Sequence, residues 1–171
     1  IFFPPVQVSA ANPGELDRLR QNRISVMPLG QNVPWLSVSF AGKKDLDAAK
    51  LDLLNDIKNQ VIHLDAGHSN LDDRLLAALK GMPNLTRLNL ANTAVTDAGI
   101  AQLKGLQLLE YLNITGTSVG DGALENLASF PALRTLYAWG SRLSPAGIGQ
   151  LKTRLPALNA DNGAPADSAA A

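Results

Sequence analysis

LTRLNLANTAVTDAGIAQLKGLQ (85–107), LEYLNITGTSVGDGALENLASFP (109–131) and LRTLYAWGSRLSPAGIGQLKTRLP (133–156) say nearly the same thing three times. Leu85 to Leu109 is 24 residues, and Leu109 to Leu133 is 24 again. One step back from Leu85 lands on Val61, which opens a fourth copy, VIHLDAGHSNLDDRLLAALKGMPN (61–84). The step forward, Leu133 to Leu158, is 25, so the expectation there is an insertion near Thr153–Arg154. A fixed period of this size is the mark of stacked repeats that share one core.

Apolar residues fall in register within each copy. The first column is Val61, Leu85, Leu109 and Leu133. The fourth is Leu64, Leu88, Leu112 and Leu136, and the sixth is Ala66, Leu90, Ile114 and Ala138. A spacing of two between the fourth and sixth is strand alternation. Further on stand Leu76, Ile100, Leu124 and Ile148, then Leu79, Leu103, Leu127 and Leu151, three residues apart, which is helical spacing. Each copy therefore reads as strand, turn and helix. Asp72, Thr96, Gly120 and Ser144 hold the place where a helix N-cap belongs. Asp73, Asp97, Asp121 and Pro145 follow them, acids suiting the helix dipole and proline the first helical position. A hydroxyl column, Ser69, Thr93, Thr117 and Ser141, is expected to bond the backbone of adjacent coils as an internal ladder.

The pattern L-x-x-L-x-L followed by a polar turn resembles the leucine-rich repeat, with Thr or Ser where the turn usually has Asn. The TAVTDAGIAQLKGL phrase is similar to bacterial repeats written V-T-D-A-G-L-x-x-L. That resemblance covers Val61 to Asn159. The fold expected is α/β, a short horseshoe solenoid with parallel strands on the concave side and helices on the convex side, behind an N-terminal β-α-β cap. Residues 1–60 are assigned to that cap and a degenerate repeat, 61–159 to four repeats of about 24 residues and a closing strand, and 160–171 to a low-complexity, mobile tail. Within 1–60, VQVSAANPGELDRLRQNRISVMPLG (6–30) reads as strand, helix, strand, with Asn12 as cap, Pro13 at the first helical position and Glu15 completing the capping box. WLSVSFAG (35–42) reads as a further strand and LDAAKLDLLNDIK (46–58) as a further helix. IFFPP (1–5) reads as a buried or docked strand, and the missing initial Met as a processed chain or part of a longer one.

A second resemblance rests on LRQNRISVMPLGQNVPWLSVSFAG (19–42), VIHLDAG (61–67) and the ending LRTLYAWGSRLSPAGIGQLKTRLPALNADNG (133–163), where the family often carries an L-Y-L-W phrase. These are similar to the C-terminal repeat region of planctomycete and Bacteroidetes membrane proteins that join a c-type cytochrome domain to leucine-rich repeats. The haem motif C-x-x-C-H is absent here. The resemblance implies a periplasmic or cell-surface setting, association with a membrane through a partner or a preceding segment, and a place beside an electron-transfer complex.

Composition narrows the chemistry. The 171 residues are 46% hydrophobic and 18% charged, which suits a folded domain. Fifteen basic residues balance fifteen acidic ones, so there is no basic footprint for nucleic acid or anionic lipid. The absence of cysteine removes thiolate metal sites, thiol nucleophiles and covalent haem attachment. No apolar run approaches the ~18 residues of a membrane helix. His63, Asp65 and His68 offer imidazole and carboxylate but no fourth metal ligand, and neither histidine sits in a hydrolase motif. No cofactor and no catalytic residue is assigned.

What remains is a surface. On a strand, residues between the inward columns face the concave side. These are His63, Arg87, Tyr111 and Thr135, then Asp65, Asn89, Asn113 and Tyr137, then Gly67, Ala91, Thr115 and Trp139. Exposed aromatics beside Arg and Asn are the composition of a protein-binding hot spot. The candidate binding residues are Tyr111, Tyr137, Trp139, Arg87, Asn89, Asn113, Arg134, His63 and Asp65. Two readings of Tyr137 and Trp139 stay open: they anchor a partner, or they close the last coil beneath the tail. The reading of the whole is a non-catalytic interaction module whose partner is another protein, such as a periplasmic subunit of a membrane redox complex or a c-type cytochrome domain. The alternatives are a free periplasmic or cell-surface binding protein and the substrate-binding part of an enzyme.

Overall fold

The computed structural model describes residues 3–163. Its elements in chain order are α1 (Pro13–Gln21), β1 (Ser25–Pro28), β2 (Leu36–Ser39), α2 (Ala48–Asp52), β3 (Val61–Asp65), α3 (Asp73–Leu76), β4 (Arg87–Asn89), α4 (Asp97–Ala101), β5 (Tyr111–Asn113), α5 (Leu124–Leu127), β6 (Thr135–Tyr137), α6 (Pro145–Arg154) and β7 (Asn159–Asp161). The seven strands form one sheet in the order of the chain. All neighbours are parallel except β1 and β2, which are antiparallel.

The period of 24 is the register of this sheet. Leu64, Leu88, Leu112, Leu136 and Ala160 stand side by side on β3 to β7. All five are buried, as are Ala66, Leu90, Ile114 and Ala138 in the parallel column two residues on. One face of the sheet thus feeds a continuous core, completed from the other side by Leu79, Leu103, Leu127 and Leu151. The same core takes in Leu19, Val38, Phe40 and Leu51 from the N-terminal part, so the cap and the repeats pack as one body. Leu124 departs from its column: it is half-buried, and Ala123 is buried in its stead, because a 3-10 turn over Asp121–Ala123 starts that coil. The return segments after β3, β4 and β5 are short, four or five α-helical residues (often with a 3-10 turn), and the one after β6 is the ten-residue α6.

Caps stand where the sequence places them. Asp72, Thr96 and Ser144 side chains accept from Leu75, Ala98 and Gly147 backbone N–H groups. Asn12 and Glu15 form a complete capping box on α1. The acids that follow the caps do more than complement a dipole. Asp73 accepts from the Thr96 N–H at 2.8 Å and from the Thr96 hydroxyl at 2.6 Å. Asp97 accepts from the Gly120 N–H at 2.7 Å, and Asp121 from the Ser144 N–H and hydroxyl at 2.9 and 2.6 Å. Each carboxylate thereby ties one coil to the cap of the next. The glycine of the T-D-A-G phrase makes room for it: a methyl group on Gly99, Gly122 or Gly147 would run into Asp73, Asp97 or Asp121.

The hydroxyl column works differently from the expectation. Ser69, Thr93, Thr117 and Ser141 donate to the carbonyls of Ala66, Leu90, Ile114 and Ala138, three residues back in their own coil. They close the turn after each strand instead of bridging coils, since the carbonyl three residues back lies within 2.6–2.7 Å. The residue before each hydroxyl is also set by that turn. His68, Asn92, Gly116 and Gly140 all have φ between 54° and 66°, the left-handed region in which Gly and Asn are most at home.

Four other expectations change. The N-terminal part is α-β, not β-α-β: Val6–Ser9 forms no strand. It lies against Asn59, Gln60 and Asn84, where a side chain, the Gln60 amide, donates to the Ser9 carbonyl at 2.9 Å in place of a strand partner. Phe3 is exposed and residues 3–5 form no docked strand, while Ile1 and Phe2 lie outside the described residues. The insertion expected near Thr153–Arg154 is not there: Thr135 pairs with Asn159 and Tyr137 with Asp161, 24 apart as in the earlier coils, and Leu158 is simply one place on from the repeating column. Ala160 and Asp161 therefore belong to β7 and not to a tail; residues 164–171, the rest of the expected tail, lie outside the described residues.

Candidate protein-binding face

Strand alternation decides which residues reach the sheet face opposite the core. Ser37, His63, Arg87, Tyr111, Thr135 and Asn159 form one row across β2 to β7. Ser39, Asp65, Asn89, Asn113, Tyr137 and Asp161 form the next. None of these residues is buried, in contrast to the leucines between them.

The second row is mostly committed to the fold. Asp65, Asn89, Asn113 and Asp161 each accept from the backbone N–H two residues on, fixing the turn that leaves the strand. Asn89 also donates to Asp65 at 2.8 Å. Tyr137 stands where this row would carry another such residue, so it is free to present a ring. It is 39% exposed, and Trp139 two residues on is 54% exposed.

The first row brings the cation to the aromatics. The Arg87 guanidinium lies 4.3 Å from the centre of the Tyr111 ring. Tyr111 meets Tyr137 edge-on, with ring centres 5.7 Å apart and planes at 61°. Arg87, Tyr111, Tyr137 and Trp139 thus run as a diagonal across β4 to β6. Burial, with Tyr137 nearby, pushes the Tyr111 hydroxyl above its ordinary range in spite of Arg87. Burial first, and Arg87 second, hold His63 below the usual histidine range.

Trp139 is also held from the C-terminal side. Gly163, at φ 74°, packs against its ring. Hydrogen bonds from the Gly163 backbone and the Trp139 side chain lower the Asp161 carboxyl. The sheet nonetheless runs one strand past the aromatics, because β7 pairs with β6. Arg134 does not join the group. It is exposed, but it precedes β6 with the opposite parity from Thr135 and Tyr137, and its side chain makes no ring contact or hydrogen bond among the described residues. His68 sits in the left-handed turn and not on the strand face, its ring 3.4 Å from the Asn92 amide. No group of three metal-binding side chains occurs among the described residues.

Ser37 and Asp161 belong to this face and were not singled out from the sequence. A step of 24 back from His63 reaches Ser39, but β2 does not keep the period, and Ser37 is the true neighbour. Asp161 was hidden by its place in an Ala-rich stretch.

The chain is similar in structure to the tropomodulin C-terminal domain of Caenorhabditis elegans, with a TM-score of 0.58 at 15% identity over 84% of this chain and 90% of that one. It is similar to the actin-binding site 2 region of leiomodin-1, with a TM-score of 0.56 at 16% identity over 82% and 87%. These likenesses join the 24-residue parallel register. The fold is a leucine-rich-repeat solenoid. A leucine-rich-repeat protein of Leptospira interrogans aligns over 69% of this chain and 28% of its own, at 17% identity and a TM-score of 0.47. No protein-family model matches the sequence, and no curated protein matches it. Among the described residues no helix is long and apolar enough to cross a membrane.

Proposed function

We propose that this solenoid is a non-catalytic protein-binding module that reads its partner on the open sheet face, with Tyr111, Tyr137 and Trp139 as anchors. The observation that carries the reading is the exposure of two large aromatics side by side at the end of the Arg87–Tyr111 stack. Five large hydrophobic residues are exposed among the described residues; Met27, opposite Ser37 on β1, also lies on this face, but these two are the ones that stand at the stacked arginine's end of it. Such rings supply large contact area at little cost in rotamer entropy. The similar actin-binding site 2 region of leiomodin-1 binds a protein, which is in keeping with this use.

The setting we propose is periplasmic or at the cell surface, as an accessory subunit beside a membrane electron-transfer complex. The partner would be a periplasmic subunit or a c-type cytochrome domain. The support for this is the resemblance of residues 19–42, 61–67 and 133–163 to cytochrome-associated repeat proteins. The test is recovery of partners from native membranes with the wild-type chain and with Tyr137→Ala/Trp139→Ala, both checked for folding. Two fully desolvated anchors at ~2 kcal/mol or more each correspond to a loss of over a hundredfold in affinity. Equal recovery with both proteins would refute the face as the binding surface.

A further inference from the structure

We propose that the recess on the open face between β2 and β5 takes a carboxylate of the bound protein, an Asp or Glu side chain or a chain terminus, with Arg87 as its principal donor and His63 and Ser37 beside it. This rests on the reading of the sheet face as the binding surface and names the chemistry it selects. The recess is small, about 190 Å³, and is lined by Ser37, His63, Asp65, Arg87, Asn89 and Tyr111 around the side of Leu64.

Three observations point to an anion. Arg87 is positioned but unpaired. Its guanidinium is stacked on Tyr111, yet among the described residues it has no salt bridge, whereas Arg18, Arg20 and Arg154 each hold a carboxylate. A stacked guanidinium keeps its edge donors free in a fixed plane, the arrangement that suits a carboxylate fork. Second, the amide of Asn89 is already used at both ends, by Asp65 and by the Ala91 N–H. The Asp65 Oδ1 in turn takes Gly67 and Asn89. The groups left over around Arg87 are therefore mainly donors: its own N–H groups, the Ser37 hydroxyl and the His63 ring. Third, a carboxylate and its methylene fit the volume, and the polar lining of Ser37, His63, Asp65, Arg87 and Asn89 suits them better than an apolar ring. The remaining Asp65 oxygen disfavours a doubly charged group such as a phosphate more than a single carboxylate.

The partner segment that fits this face carries an acid about one strand spacing or two from an apolar or aromatic residue. The acid enters beside Arg87, and the apolar residue meets Tyr137 and Trp139. The register sets that geometry, since Arg87, Tyr111 and Thr135 lie on adjacent strands roughly 4.8 Å apart.

The experiment uses a random twelve-residue peptide library displayed on phage and selected on the immobilised chain. Synthetic versions of the binders are then titrated against wild type, Arg87→Gln and Tyr137→Ala/Trp139→Ala. The expected result is enrichment of Asp or Glu, and a loss of roughly tenfold or more with Arg87→Gln. Replacing the peptide's acid by its amide should cost the same, and the two changes together little more than either. Binders that depend on Tyr137 and Trp139 but show no acid, and that Arg87→Gln leaves within twofold, overturn the carboxylate site and leave the face standing. Binders indifferent to all three side chains, or an empty selection, count against both.

Discussion

The carboxylate ties between coils make a sharp prediction about Asp97 and Gly122. Asp97 accepts the Gly120 N–H at 2.7 Å in a half-buried setting, and the only atoms a methyl group on Gly122 would strike belong to Asp97. Asp97→Ala leaves the Gly120 N–H without its charged acceptor, a loss of about 1.5–3 kcal/mol. Gly122→Ala forces the carboxylate aside. Overpacking of this kind costs ~1–3 kcal/mol, from which up to ~1 kcal/mol is regained as the unfolded chain loses glycine's freedom. In the double variant there is no carboxylate to displace, so Gly122→Ala should be neutral or slightly stabilising on that background. The coupling between the two sites should be about 1–2 kcal/mol in the favourable direction. Urea denaturation of the four proteins, followed by far-ultraviolet circular dichroism, measures it through the midpoints at constant slope. Free-energy changes that add to within about 0.5 kcal/mol would refute the view that this glycine exists to admit the carboxylate of the preceding coil.

Other perturbations test other parts of the argument. Leu112 is fully buried between Leu88 and Leu136, so Leu112→Ala should cost ~2–5 kcal/mol and unfold the array as one unit in thermal or chemical melts. His63 has its folded pKa lowered below the ordinary 6.5 by burial and by Arg87. The unfolded chain therefore binds the extra proton first, and this group's contribution to stability is lost as pH falls through the ordinary histidine range. His63→Gln should lose less stability than wild type on acidification through that range, and parallel pH profiles would contradict the assignment. Ser144→Ala removes a cap and the hydroxyl that Asp121 accepts, so it should destabilise by ~1 kcal/mol or more, where Ser129→Ala, on an exposed bond to Asn126, should be nearly silent in the same melts.

Most of the fold was legible because a stacked repeat imposes the same steric demand every 24 residues. Leu88, Leu112 and Leu136 had to be leucine-like for one shared reason, and the caps at Thr96 and Ser144 repeat for another. Reading failed where an interaction is local to one place or crosses coils. Asp73, Asp97 and Asp121 looked like dipole residues, since nothing in a single coil shows that the next coil's cap will lie 23 residues on. The hydroxyls of Thr93 and Thr117 were assigned across coils, although the nearest carbonyl was their own. Val6–Ser9 has the alternation of a strand, but it is held by the Gln60 side chain and not by a strand. On the candidate face, the rows His63–Arg87–Tyr111 and Asn89–Asn113–Tyr137 followed directly from the period. The stack of Arg87 on Tyr111 did not, because side-chain direction along a row is not written in spacing. Arg134 was placed there by proximity in sequence, which strand parity does not respect.

The chain of ties has a beginning and an end. Asp73 accepts from Thr96, Asp97 from Gly120 and Asp121 from Ser144, but the residue that would accept next is Pro145, which has no carboxylate. At the other end, Ala48 holds the place before Asp73 in α2, and it too has none to offer. Three joints are thus tied in one direction, while the sheet runs on past them, to β2 before and β7 after, without such a tie. A gene duplication that copies residues 97–120 in place would hand each new coil both a donor and an acceptor, and the array could lengthen without a seam. A copy appended after Pro145 would find its cap unanswered. Growth of such a protein is therefore open in the middle and closed at the end.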